Sequence, residues 1–394
     1  MKTKLLAFSL FAATIGAVLA YPHHRGGTDP TPAAPVASAN KPKVEAVFVL
    51  DTTGSMSGLI QAAKENIWSI ARSMASAKPT PEIKIGLVAF RDRGDQYVTQ
   101  VVNLSSDLDT TYATLMDFRA EGGGDGPESV NQALHDAVHK IGWSQDPNAY
   151  KVIFLVGDAP PHMDYQDDVK YPETLKTAAA KGIIVNTIQA GADSTTQEQW
   201  RHIASLSQGQ YFQVGQSGDA LAVATPYDEK LAGLSKELDD TRLFYGDEAK
   251  RRELAVKQAA TGKLNAEASA ASRAKRAIFN ASAPGEKNFA GENELVEDVA
   301  SGRVKLDAVA PASLPEPVQA LSKDEQERLI KETAKKRAEL RDQIQTLGAQ
   351  RRDYIAGKLK ESKTETSSLD YQIFNTVKAQ AAKKGLRYEA APSY

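Results

Sequence analysis

The sequence contains no cysteine among its 394 residues. Disulfide bonds, thiol catalysis and cysteine-ligated zinc or iron–sulfur sites are therefore excluded. A charge excess is also missing, because 48 basic and 50 acidic side chains leave a formal net charge of -2. Such a chain has no global attraction to nucleic acid or to an anionic membrane. Specific binding is therefore predicted to depend on a local site, and no nucleic acid is expected as a partner.

Long apolar stretches are scarce as well. The longest runs from Leu5 to Leu19, after Lys2 and Lys4, and ends beside the small-residue sequence Val18-Leu19-Ala20. Roughly 15 apolar residues are too few to cross a ~30 Å hydrocarbon core. The pattern predicts a signal peptide over residues 1–20, and hence a secreted protein with no membrane span after its removal.

The composition changes several times along the remaining chain. Residues 21–43 are rich in Pro and Ala and predict a linker. Over residues 44–216, short apolar runs alternate with helix-length segments, which predicts an α/β fold with a doubly wound, mostly parallel sheet. The predicted parallel strands are Val44–Leu50, Ile83–Phe90, Val152–Val156, Ile183–Ile188 and Gln210–Val214, and Tyr97–Leu104 is predicted as an antiparallel edge strand.

The C-terminal sequence is charged and rich in alanine, which predicts an α-helical and coiled-coil region. Helical segments are expected over residues 226–282, with one helix at Asp247–Phe279, and over residues 322–386; a Pro/Gly-containing linker is expected at 283–317. Leu340, Ile344 and Leu347 lie near heptad spacing, so these helices could support self-association. The basic clusters at 273–276 and 335–337 are interpreted as solvated helix faces, because acidic residues are interspersed with them.

Oxygen-bearing side chains follow two predicted strands. The first strand ends in Asp51-Thr52-Thr53-Gly54-Ser55, and a later one in Gly157-Asp158. Because ligands bind at the carboxyl edge of such sheets, Asp51 and Asp158 are expected to face one crevice. Two adjacent carboxylates repel each other unless a cation lies between them, and carboxylate and hydroxyl oxygens suit magnesium or calcium.

A third loop, Glu121 to Ser129, is rich in glycine and precedes a helix. Asp-x-Thr-Gly-Ser, a glycine-rich loop and Gly-Asp at a strand end together resemble the von Willebrand factor type A domain with its metal-ion-dependent adhesion site (MIDAS). The resemblance covers about residues 44–216. It implies direct metal contacts from Thr53, Ser55 and Glu128, with Asp51 and Asp158 acting through water or hydrogen bonds.

The segment Asp125-Gly126-Pro127-Glu128 resembles the integrin beta-subunit variant of this domain. That resemblance implies that Glu128 replaces the usual threonine on the metal, and that Asp125 is a candidate for a second cation. The cofactor is expected to be Mg²⁺, with Mn²⁺ or Ca²⁺ as alternatives. An open coordination position would then capture an acidic group of a protein or peptide ligand. The expected function is non-enzymatic adhesion or interaction in the periplasm or at the cell surface.

Other interpretations stay open at this point. Asp-Thr-Thr-Gly-Ser alone is also typical of a helix N-cap. The protein could then be a cell-envelope scaffold that acts through its C-terminal helices with a non-functional metal site. A metal-dependent hydrolase would need a general base, for which Asp125 or His162 are the candidates. The sequence His135 to His139 is similar to a zinc-protease motif but has Asp136 where that motif has glutamate.

Overall fold

A computed structural model of the chain describes residues 41–124, 126–216, 223–362 and 369–388. The predicted signal peptide at 1–20, most of the predicted linker at 21–43 and the candidate second-cation residue Asp125 lie outside the described residues.

Six strands form one sheet in the order β3-β2-β1-β4-β5-β6. Only β3 is antiparallel to its neighbour, and the other pairs are parallel. The predicted α/β fold is therefore confirmed, including its antiparallel edge strand. The central strands read as continuous apolar runs because both of their faces are covered. The strands are β1 (Lys43–Asp51), β2 (Glu82–Phe90), β3 (Thr99–Ser105), β4 (Tyr150–Gly157), β5 (Ile183–Ala190) and β6 (Tyr211–Val214).

Helices surround this sheet and continue after it. Within the described residues, none is both long enough and apolar enough to cross a bilayer. The helices that precede or alternate with strands are α1 (Ser57–Ala75), α2 (Leu108–Asp117), α3 (Val130–His139), α4 (Tyr171–Ala180) and α5 (Ser194–Leu206). Those after β6 are α6 (Asp228–Asp239), α7 (Glu248–Glu267), α8 (Ala270–Asn280), α9 (Glu286–Ala290), α10 (Leu295–Ala300), α11 (Glu316–Gln319), α12 (Lys323–Ser362) and α13 (Leu369–Ala382).

Three local features differ from the sequence prediction. Helix α2 was not predicted, although Asp107 caps it by accepting the Thr110 N–H. The single helix expected at Asp247–Phe279 is divided into α7 and α8, because the backbone is extended at Ala268 and the Ser269 side chain caps α8. The segment 283–317, predicted as a linker, contains short helices whose apolar side chains are buried, among them Phe289, Leu295 and Leu314.

The two faces of the sheet are covered by different parts of the chain. Helices α3, α4 and α5 cover one face. The other face packs against α1 and α2, and also against Ile373, Phe374 and Val377 of α13. Buried Gln380 of α13 accepts a hydrogen bond from the Tyr150 hydroxyl at 2.7 Å and exchanges hydrogen bonds with the Asn186 side chain. The core around the sheet therefore includes residues far beyond 216.

Buried ion pairs hold the helical region together and join it to α2. Arg276, which is 1% exposed, binds Asp109 of α2 at 2.6 Å and Asp239 of α6 at 2.8 Å. Arg337, which is 3% exposed, binds Glu294 at 2.8 Å. The interpretation of these two arginines as solvated was wrong, since burial of a guanidinium is tolerated when carboxylates pair with it. Leu340 and Ile344 of the heptad-like pattern also pack inside this chain, against α6 and α8.

Candidate metal centre

Three loops meet at the carboxyl edge of the sheet, as the sequence predicted. The Gly54 N–H donates to the Gly122 carbonyl at 3.1 Å, which joins the loop after β1 to the glycine-rich loop. The Glu128 N–H donates to the Pro160 carbonyl at 2.9 Å, which joins the glycine-rich loop to the loop after β4. Backbone hydrogen bonds therefore bring Asp51, Glu128 and Asp158 to one place.

Asp51 is the last residue of β1 and is 1% exposed. Its Oδ1 atom accepts hydrogen bonds from the Thr53 backbone N–H at 2.8 Å and from the Thr53 hydroxyl at 2.7 Å. Its Oδ2 atom is buried and has no hydrogen-bond partner among the described residues. Burial raises the pKa of Asp51 to about 7, although the hydrogen bonds from Thr53 oppose the shift. The Thr53 hydroxyl lies 3.5 Å from the exposed Ser55 hydroxyl.

Glu128 is the second buried carboxylate of the site and is 4% exposed. Within the part of the chain that the structure describes, its Oε2 atom also lacks a hydrogen-bond partner. Burial raises the pKa of Glu128 to about 9, and the charges of Asp51, Asp92, Asp95 and Asp158 act in the same direction. An ionised Glu128 is therefore unfavourable here unless a positive charge joins it.

Gly123 allows the glycine-rich loop to approach both of these residues. Its φ of +84° lies in the left-handed region, which favours glycine. A Cβ atom at this position would lie 3.1 Å from the Thr53 Cβ and 3.4 Å from the Glu128 Oε1. A larger residue would therefore push the loop away from the hydroxyl and carboxylate oxygens.

Asp158 follows β4 and is half-buried. Its Oδ2 atom accepts a hydrogen bond from the Gln216 side-chain amide at 2.6 Å, and the same amide nitrogen lies 3.3 Å from the Ser55 carbonyl. The sequence analysis did not identify Gln216. The available signal was its position two residues after the end of β6, at the carboxyl edge that holds the other loops.

Asp92 and Asp95 were also missed, although both closely follow the end of β2. Asp92 is 5% exposed and accepts hydrogen bonds from the hydroxyls of Ser129 and Tyr165, each at 2.8 Å. Asp95 accepts the Gly123 N–H at 3.1 Å. These carboxylates hold the glycine-rich loop and make the surroundings of Glu128 still more negative.

The loop after β4 is held in place on the side next to Asp92. Arg93 forms ion pairs with Asp167 at 2.8 Å and with Asp168 at 2.6 Å, and it stacks on the Tyr165 ring at 4.1 Å. The Tyr165 ring in turn stacks on the His162 ring at 4.0 Å. Ion pairs and ring contacts between side chains therefore fix the position of this loop at the rim of the site.

The donor set combines carboxylates with hydroxyls. Among the described residues, no group of three or more His, Asp or Glu side chains is arranged to hold a metal. The two partnerless carboxylate oxygens lie in a site that also carries the hydroxyls of Thr53 and Ser55. Buried polar atoms are rarely left without a partner. These oxygens fit a hard divalent cation such as Mg²⁺.

Comparison with known proteins finds a similar family for part of the chain. Residues 45–225 match the family described as von Willebrand factor A domain. An alpha-protein kinase of Dictyostelium discoideum, vwkA, is 27% identical over 125 residues, which are 30% of this chain and 19% of that protein. A putative ariadne-like RING finger protein of Acanthamoeba polyphaga mimivirus is 26% identical over 123 residues, which are 31% of this chain and 12% of that protein. The chain thus spans less than a fifth of either relative.

Solved structures with some similarity cover somewhat less than half of the chain. Proximal thread matrix protein 1 from the mussel byssus, with a zinc-occupied MIDAS motif, is 16% identical with a TM-score of 0.36, over 44% of this chain and 42% of that one. The VWA domain of SpRpn10 is 15% identical with a TM-score of 0.34, over 45% of this chain and 90% of that one. Residues 45–225 are therefore similar to a von Willebrand factor A domain, and the mostly parallel six-stranded sheet fits that similarity.

Proposed function

We propose that this chain is an exported, non-enzymatic protein that binds a protein or peptide through a divalent cation held at residues 51, 53, 55, 128 and 158. The observation that carries the proposal is the pair of buried carboxylate oxygens, Asp51 Oδ2 and Glu128 Oε2, for which the described residues supply no hydrogen-bond partner. The charge of Asp51 also raises the pKa of Glu128, and the charge of Asp158 raises the pKa of both. A bound cation would satisfy both oxygens and remove the repulsion between them.

Each residue has a separate part in this proposal. Thr53, Ser55 and Glu128 would contact the cation directly. Asp51 accepts the Thr53 hydroxyl hydrogen at 2.7 Å, so the lone pairs of that hydroxyl oxygen are available to a metal. Asp158 would complete the negative charge around the ion. The cation supplies a positive centre to which an acidic group of the partner can bind.

Mg²⁺ is the proposed ion, because carboxylate and hydroxyl oxygens are hard ligands. Mn²⁺ and Ca²⁺ are the alternatives to test beside it. Zinc belongs in the same comparison, since the mussel byssus protein has a zinc-occupied MIDAS motif. A second cation near Asp125 stays a proposal, because that residue lies outside the described part of the chain.

Metal binding is tested by isothermal titration of MgCl₂, MnCl₂, CaCl₂ and ZnCl₂ into the metal-stripped full chain. We expect saturable binding to the wild type and none to Asp51→Ala or Glu128→Ala. Glu173→Gln is the matched control, because Glu173 is an exposed carboxylate on α4 that pairs only with Lys176. Equal binding by all four proteins, or no wild-type binding at millimolar ion, would refute the metal site.

Ligand capture is tested on the full chain, because α13 and the helical region pack against the A domain. Immobilised peptides ending in a free carboxylate are compared with the same peptides ending in an amide, with Mg²⁺ or with EDTA. The proposal predicts retention that needs both Mg²⁺ and the carboxylate and that Glu128→Ala abolishes. Retention that persists in EDTA would favour a scaffold that acts through its helices.

Export is tested separately by mass spectrometry of the mature protein. Cleavage after the small-residue sequence that ends at Ala20 would leave Tyr21 as the first residue. An intact N-terminus in a cytoplasmic fraction would contradict this part of the proposal.

A further inference from the structure

A cavity of about 600 Å³ lies at the opposite edge of the sheet from the metal centre. It is bounded by the connection from α3 to β4, by the starts of β4 and β5, and by the turn after α13. The eight residues of β4 separate this amino edge from Asp158, which corresponds to about 25 Å of extended strand. The cavity is therefore independent of the proposed metal site.

Basic side chains converge on this cavity from different elements. Lys151 at the start of β4, Lys181 before β5 and Lys384 after α13 line it, together with His139 of α3. Within the part of the chain that the structure describes, no aspartate or glutamate lines it. Lys151 is only 6% exposed, so its ammonium group is held in the wall and is not a mobile surface charge.

The three ammonium groups are bonded to carbonyl oxygens and not to carboxylates. Lys181 donates to the Val138 carbonyl at 2.7 Å, Lys384 to the Pro147 carbonyl at 2.7 Å, and Lys151 to the Lys181 carbonyl at 3.3 Å. An ammonium group has three N–H donors. Each of these lysines therefore has further N–H donors for a ligand.

The nearest carboxylates, Glu45 and Asp146, already have other partners. Glu45 accepts the Ser144 N–H at 3.0 Å, and Asp146 accepts the Asn148 N–H at 2.9 Å and pairs with Lys43 at 3.5 Å. Burial lowers the pKa of Lys151, and although Glu45 and Asp146 raise it, Lys384 and Lys181 lower it further. The positive charge at Lys151 is thus only partly compensated.

A second cavity of the molecule contains lysines in structural ion pairs and serves for comparison. Its volume is about 580 Å³, and Lys84, Lys250, Lys257 and Lys287 line it. Three of these lysines pair with a carboxylate: Lys250 with Glu292 at 2.9 Å, Lys257 with Asp107 at 2.6 Å and Lys287 with Glu82 at 2.7 Å. The absence of such pairs distinguishes the cavity around Lys151.

We infer that the cavity at Lys151, Lys181 and Lys384 is a binding site for a small organic phosphate. A phosphomonoester carries about two negative charges, and lysines bind phosphate as point charges. A volume of about 600 Å³ is typical of small-molecule sites. Ile141, Trp143 and Ala149 line the same cavity and offer apolar surface to the organic part of the ligand.

The test is isothermal titration of inorganic phosphate, phenyl phosphate and phenol into the full chain at constant ionic strength. We expect saturable binding of both phosphates, tighter binding of phenyl phosphate, and no binding of phenol. The double variant Lys181→Gln/Lys384→Gln should weaken phosphate binding at least tenfold. Lys151→Gln is tested as a second variant, and far-UV circular dichroism verifies that each variant is folded.

The matched control is Lys250→Gln/Lys287→Gln, which removes two lysines from the other cavity and should leave phosphate binding unchanged. Asp51→Ala should also leave it unchanged, so failure of the metal proposal cannot be mistaken for failure of this one. An equal loss in the control variant, or no saturable binding of either phosphate by the wild type at millimolar concentration, would overturn the inference. Binding to phosphatidate vesicles without binding to the free phosphates would overturn it as well.

Discussion

Buried charges occur in two regions of this molecule, and their surroundings differ. Between α2, α6 and α8, the buried Arg276 binds both Asp109 and Asp239. At the carboxyl edge of the sheet, no described arginine or lysine binds the buried carboxylates of Asp51 and Glu128, and each retains an oxygen without a hydrogen-bond partner among these residues. The comparison teaches that burial alone does not identify a binding site. A closed ion network is structural, whereas a network that lacks its counter-charge indicates a ligand.

The largest effect is expected from removing the arginine of the buried ion network. Arg276→Met would leave Asp109 and Asp239 buried without their main counter-charge, and we expect a loss of about 3–5 kcal/mol in the free energy of unfolding. Urea denaturation followed by circular dichroism measures it. Lys236→Gln is the control, because its ion pair with Asp240 is exposed to solvent and should contribute little to stability. Similar losses in both variants would show that the buried network is not special.

The second prediction concerns the carboxylates of Asp51 and Glu128, which lack a counter-charge, when they ionise without a bound cation. The pKa of Asp51 is raised to about 7 and that of Glu128 to about 9, so the native state retains protons that the unfolded chain releases near pH 4. The metal-free protein should therefore lose stability as pH rises from about 5 to 9, by up to about 1.4 kcal/mol per pH unit for each retained proton. Thermal unfolding in EDTA measures this loss.

Two additions sharpen that measurement. Saturating Mg²⁺ should remove most of the loss, because the ion replaces the protons. Asp51→Asn in EDTA should flatten the dependence over the part of the range near pH 7. If the stability of the wild type rises between pH 5 and 9 in EDTA, the description of Asp51 and Glu128 as buried carboxylates without a counter-charge is wrong.

The smallest expected effect concerns Gln216, a neutral side chain at the same edge of the sheet. Gln216 donates to Asp158 at 2.6 Å, so its amide competes with a cation for that carboxylate. Gln216→Ala should raise Mg²⁺ affinity a few-fold in isothermal titration. Gln213→Ala is the control, because Gln213 lies on β6 and its amide bonds only the Gly191 carbonyl and the Gln197 side chain. A weaker affinity in Gln216→Ala would show that the glutamine supports metal binding.

Much of the fold could be predicted from the sequence because the sheet is buried on both faces. Its strands are short apolar runs separated by helix-length segments, and even the antiparallel edge strand was recognised. The predicted site residues Asp51, Thr53 and Glu128 lie together because they follow strands or form loops at one edge. Whether they bind metal stays a prediction.

Other features depend on contacts that a linear pattern does not contain. Gln216 and Asp92 reach the site only through the sheet order, which places distant loops side by side. The charged sequence around Arg276 and Arg337 is typical of an exposed helix face, and only their distant partners Asp109 and Glu294 account for their burial. The packing of α13 against α1 could not be predicted either, because the sequence of α13 does not indicate which surface it covers.

That docking has a consequence for the order of synthesis. Strand β6 ends at Val214, but the helix that completes the cover of the sheet begins only at Leu369. A ribosome therefore translates the whole helical region before α13 can pack against the sheet. Until then, the apolar face that later contacts Phe374 and Val377 stays without its cover. In a chain that is exported before it folds, this delay would leave the sheet incompletely packed until its last helix has been made.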